Sequence, residues 1–203
     1  ITVHEATITL RITAAGRDDD DCRAAIEPTA RTIYECLGEL VFGEEDDELQ
    51  HAVVRLLKRR DLTLATVDWG TDGLTARWLS EVADVRDYYL GGVNLTHERT
   101  ALRRLNAAAE LLSGDDACRS ETTRLLAESI RAEFGSDFGL AIGPAPSIAG
   151  GSEPGRICFA LADRDGTTVK SASYAGHSAV VKPRAAKQAL DLLRLKLSSL
   201  PAP

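Results

Sequence analysis

The stretch Leu62-Thr63-Leu64-Ala65-Thr66-Val67-Asp68-Trp69-Gly70-Thr71-Asp72-Gly73 runs from an apolar segment, rich in Thr and Val, straight into a turn of glycine and short polar residues. A run this short, bounded by turn residues, reads as a buried strand. Leu74, Arg77 and Trp78 then open a helix, so a strand feeds a helix through a tight turn. The alternation continues in both directions. Upstream, the acids Glu44 to Asp47 precede Leu49, Ala52, Val53, Leu56 and Leu57 at helical spacing, which predicts an amphipathic helix ending near Arg60. Downstream, the pattern predicts a strand over 88–95, helices over 98–112 and 120–134, and strands over 138–142, 157–162 and 168–174. A closing helix follows, with Ala186, Ala189, Leu190, Leu193 and Leu197 on one face. Strands separated by helices of this length imply an α/β fold, a three-layer α/β/α sandwich, over residues 44–203.

Residues 1–43 read as a separate small α+β unit. Val3, Ala6, Ile8, Leu10 and Ile12 predict one half-buried strand over 2–13. Asp18 to Asp21 place negative charge where a helix N-terminus favours it, and the helix runs to about Leu37. Leu40, Val41 and Phe42 suggest a second short strand before Gly43.

The net charge of −7 argues against a nucleic-acid footprint, since phosphate binding requires a basic stripe and the Lys and Arg residues here are scattered among acids. No apolar stretch approaches the roughly 20 residues of a membrane span. Cys22, Cys36, Cys118 and Cys158 form no C-x-x-C pair, so neither a zinc site nor a redox motif is signalled. Buried thiols in a reducing cytoplasm are the simpler reading. The chain begins at Ile1 rather than Met, and is expected to be a piece of a longer protein.

In open α/β sheets ligands collect outside the carboxyl ends of the strands, which makes the loops 68–73, 95–99 and 143–155 the expected pocket walls. The most exposed position of the first loop is Trp69, which is no nucleophile; a gap-filling role is preferred for it over ligand stacking. Asp68 and Asp72 read as solvated loop charges, too few to hold a cation. Thr71 keeps a hydroxyl, but no base to activate it is evident. His97 and His177 are the remaining general-base candidates. Gly150, Gly151 and Ser152 form a loop whose backbone suits a phosphate, with Arg156 as its charge partner. No metal and no cofactor is called for.

The same residues carry a family likeness. The run Leu62 to Thr66 with its turn, Tyr89-Leu90-Gly91-Gly92-Val93, Asp137 to Ile142, Gly150 to Pro154, and Tyr174-Ala175-Gly176 resemble, in order, segments of the CinA (competence/damage-inducible) deamidase domain. Residues 1–43, with Gly38-Glu39-Leu40-Val41-Phe42-Gly43, are similar to the KH-like domain that precedes it. The resemblance implies a nicotinamide-nucleotide amidohydrolase, converting nicotinamide mononucleotide to nicotinic acid mononucleotide and ammonia. It implies a Ser nucleophile in a turn E-S-C-T-G-G and a Lys closing a segment Y-S-N-E-A-K. Here the turn reads Asp68-Trp69-Gly70-Thr71-Asp72-Gly73 and the second segment Thr96-His97-Glu98-Arg99-Thr100-Ala101. Trp69 and Ala101 therefore stand where the nucleophile and the lysine belong, and no lysine lies between Lys58 and Lys170. The family's G-D-R becomes Gly176-His177-Ser178.

Three readings follow. The favoured one is a non-catalytic relative serving as a binding, regulatory or assembly module. The second is an amidohydrolase with a site rebuilt from Thr71 or Ser152 and a histidine. The third is a pocket for another nucleotide-like ligand, with Asp68, Trp69, Thr71, Gly73, Gly150, Gly151, Ser152 and Arg156 around it. Expected partners are a pyridine nucleotide, an N-terminal domain of the longer chain and, by the resemblance alone, a second copy.

Overall fold

The computed structural model describes residues 1–105, 116–144, 155–174 and 177–201. Its main sheet is built from β3 (Leu64–Asp68), β4 (Tyr89–Asn94), β5 (Phe138–Ile142), β6 (Gly155–Asp163) and β7 (Gly166–Tyr174). The hairpin that precedes it is β1 (Thr2–His4) and β2 (Thr7–Thr9). The helices are α1 (Asp19–Leu37), α2 (Leu49–Arg60), α3 (Leu74–Ser80), α4 (Glu98–Leu105), α5 (Asp116–Phe134) and α6 (Ser178–Ser199). The sheet order is β4-β3-β5-β6-β7. β3 pairs in parallel with β4 and β5, whereas β6 and β7 join antiparallel.

Side chains alternate across each strand, and the alternation sorts them by size. Leu64, Phe138, Leu140, Ile142, Ile157, Phe159 and Leu161 face one layer, where they pack with α2, α3 and α6. Ala65, Val67, Ala141, Ala160 and Ala162 face the other, against Leu126, Ala127 and Ile130 of α5. Small residues on that face let α5 sit close: a Cβ on Gly139 would lie 2.1 Å from the Ala127 carbonyl oxygen. These two layers around one sheet are the expected α/β/α sandwich.

The N-terminal strand departs from expectation. In place of one half-buried strand the chain folds into a hairpin, because Glu5 and Ala6 both take positive φ (42° and 65°) as a two-residue turn with right-handed twist requires. Its strands are mostly exposed, Thr7 alone being buried. The segment Leu40 to Phe42 forms no strand; Gly38–Leu40 is a single 3₁₀ turn, since the left-handed Gly38 ends α1 and redirects the chain. α1 itself starts as its acids predict, with the Asp18 carboxylate accepting the Asp21 N–H at 2.9 Å. The expected helix over 98–112 is described to Leu105, and residues 106–115 lie outside the described part.

Candidate functional site

β3 delivers the turn to the carboxyl edge of the sheet and fixes its first residues from both sides. The Trp69 N–H donates to the Ile142 carbonyl at 3.1 Å, and the Leu95 N–H donates to the Asp68 carbonyl at 2.7 Å. Asp72 (φ 58°) and Gly73 (φ 81°) then turn left-handed and start α3. Chain reversal here requires glycine at position 73, where a side chain would also crowd Asn94.

Asp68 is not the solvated charge the sequence suggests. It is 1% exposed, because the alternation of β3 points it with Leu64 and Thr66 into the layer under α3. Its carboxylate accepts the Thr71 N–H at 2.9 Å and the Thr71 hydroxyl, and the N–H groups of Thr75 and Gly73 also point to it. Burial raises its pKa, and these hydrogen bonds offset only part of the rise. The base missing for Thr71 is therefore Asp68, three residues upstream. Yet Thr71 is 0% exposed, so that hydroxyl cannot touch a substrate in this arrangement.

Trp69 points the opposite way. Its indole is half-buried on the alanine-rich cluster of the α5 layer, so it neither seals into the core nor stands free. Ala101, in α4, is wholly buried in the same cluster. Both candidate histidines are helix caps. His97 Nδ1 accepts the Arg99 N–H at 3.0 Å before α4, and His177 Nδ1 accepts the Ala179 N–H at 3.2 Å at the head of α6. A neutral imidazole that accepts at Nδ1 carries its proton on Nε2, which leaves no ring nitrogen free to act as a base while the cap holds.

Asp72 is exposed and pairs with Lys182 of α6, so it does not converge with Asp68 on a cation. Lys182 is the residue that sequence reasoning missed. β7 runs antiparallel to β6, and hence parallel to β5, so its carboxyl end and the start of α6 reach the same sheet edge as the turn. Strand order, invisible in a linear reading, would have shown it. Thr66 and Tyr89 were missed as well: their hydroxyls share a buried 2.7 Å hydrogen bond near Asp68, and burial pushes the Tyr89 phenol up to about 12. Arg156 is exposed at the start of β6 and donates to Ser171 of β7, with β5 between it and the turn. Gly150, Gly151 and Ser152 lie outside the described residues.

The chain resembles known proteins over most of its length. The model of the CinA C-terminal domain matches residues 46–197, and that of the damage-inducible protein CinA KH domain matches residues 1–43. A CinA-like protein of Geobacter sulfurreducens is 31% identical over 193 residues, covering 94% of this chain and 47% of the relative. The chain spans about half the length of the curated relatives it matches. Among solved structures, the competence damage-inducible protein A of Klebsiella pneumoniae subsp. pneumoniae is 26% identical with a TM-score of 0.63, over 75% of this chain and 97% of that one. The competence or damage-inducible protein of Enterobacter asburiae, at 24% identity, shares the fold with a TM-score of 0.65 over 74% of this chain and 96% of its own. The chain belongs to the CinA family.

Proposed function

We propose that this chain is a non-catalytic member of its family, a binding, regulatory or assembly module within a longer protein. One observation carries the reading: the hydroxyl that the turn retains, on Thr71, is fully buried and committed to Asp68. Trp69 occupies the position where the resemblance puts the nucleophile, and Ala101 the position of the lysine. Losing a nucleophile that acts as a unit with its base costs on the order of 10⁶ in turnover. The two units expected at 1–43 and 44–203, a cytoplasmic location and a homodimer belong to the same proposal. Of the described cysteines only Cys158 is buried as expected; Cys22 is half-buried and Cys36 exposed, because α1 buries none of its residues.

The half-exposed indole of Trp69 favours a second reading, in which a pyridine nucleotide or similar ligand stacks on it without being hydrolysed. Calorimetric titration with nicotinamide mononucleotide and nicotinic acid mononucleotide, with ammonia measured on the same samples, tests both. Heat without ammonia supports a ligand-binding module, and no heat supports an assembly role. Ammonia release abolished by His97→Ala or His177→Ala in a folded protein overturns the proposal in favour of a rebuilt amidohydrolase.

A further inference from the structure

We propose that Lys187 makes the turn at residues 68–73 sensitive to whether the N-terminal hairpin is seated on Glu48, the cap of α2. This goes beyond the reading above and holds whether the turn binds a ligand or not. Thr7, the buried residue of the hairpin strands, donates its hydroxyl to Glu48 Oε2 at 2.8 Å. The same oxygen accepts from Lys187 Nζ at 2.6 Å, and Lys187 also donates to Gln50 Oε1 at 3.1 Å. Lys187 is 7% exposed, and its ammonium lies 4.6 Å from the ring centroid of Trp78. Trp78 is fully buried and its indole N–H has no hydrogen-bond partner among the described residues, where packing and this cation hold the ring. It stands in α3, the helix that the turn begins. Five residues back along α6, Lys182 grips Asp72 of the turn itself. α6 thus holds the turn and the helix behind it at two points, one of which shares a carboxylate with the hairpin.

The cavity beside this contact gives the device an input. A groove of about 900 Å³ runs between the hairpin, α1 and α6, with Ile8, Leu10, Ile33 and Phe42 among its walls and Lys187 on its floor. Whatever lifts the hairpin from Glu48 admits water to that carboxylate and to Lys187. A cation attracts an aromatic face less once it is hydrated, so the hold on Trp78 loosens and α3 with it. The 3₁₀ turn after α1 has a separate hold on α6, because Arg194 donates to the Glu39 carbonyl at 2.7 Å. A contiguous set of contacts becomes a coupling only when a change at one end is measured at the other.

Amide hydrogen exchange on the full chain supplies that measurement. Thr7→Val removes the hairpin's hydroxyl and keeps its shape. We expect it to speed exchange about fivefold at the hairpin and at the Thr71 and Arg77 amides of the turn and α3, the loss of about one net hydrogen bond. In a Lys187→Met background the same change should speed the hairpin alone, and Lys187→Arg should restore the response of the turn. Wild-type rates at Thr71 and Arg77 in Thr7→Val overturn the proposal. So does a response that survives Lys187→Met, or an equal acceleration in β5, which marks global opening instead.

Discussion

Asp68 concentrates most of what is unusual at the residue scale, a carboxylate with 1% exposure held by the turn it precedes. Its pKa is raised from 3.8 by burial, so the folded state holds its proton to higher pH than the unfolded chain does. The protonated form is thus favoured by folding, and this contribution is complete below pH 3.8 and lost as pH rises through the folded value. Urea titrations from pH 4 upward should show stability declining across that window in the wild type and a flatter profile in Asp68→Asn, which keeps an acceptor for Thr71. Equal slopes in the two proteins would exclude Asp68 as the titrating group. The histidine caps make a second residue-scale prediction: His177→Ala should cost about 0.5–1 kcal/mol of stability, and His177→Asp should recover it. Neither of these roles was legible beforehand. An acid at the end of a strand looks the same in sequence whether it faces solvent or core, and a histidine before a helix resembles a base as much as a cap.

Among the elements, the strands and helices of the main sheet followed from periodicity, because each has one face that packs. β3 and β5 lie within two residues of their predicted positions, and the face predicted for the closing helix, Ala186 to Leu197, lies within α6 and is buried. The hairpin and the 3₁₀ turn at Gly38 did not follow, since both depend on positive φ at single residues and bury almost nothing that would mark them. The close seat of α5 is likewise set by what is missing, the side chain of Gly139. Gly139→Ala should force α5 off the sheet and cost about 1–3 kcal/mol, read as a lowered urea midpoint. Leu140→Ala, on the opposite face of the same strand, should cost about 2–5 kcal/mol by leaving a cavity. If Gly139→Ala is neutral, α5 does not approach as closely as described.

In the whole molecule the two family segments meet at several points, at Arg77 with Glu5, at Arg194 with the Glu39 carbonyl, and at Glu48, which bonds the hairpin and α6 at once. Burial alone would raise the Glu48 pKa, but hydrogen bonds from Lys187 and Thr7 outweigh it and hold the carboxyl below 4.5. The sign is opposite to that of Asp68: this link is complete above the unfolded value and weakens as pH falls through the folded one. Acid below pH 4.5 should therefore release the hairpin before the sheet, visible as faster exchange at residues 2–9 ahead of β5. The family was readable from the residues in order, whereas the approach of Lys182 to the turn needed the sheet topology. Whether the chain is non-catalytic is decided by ammonia release from nicotinamide mononucleotide at high protein concentration. A non-catalytic chain should release it no faster than protein-free buffer does, with no change in Thr71→Ala. Turnover well above that background, abolished by Thr71→Ala, would contradict the proposal.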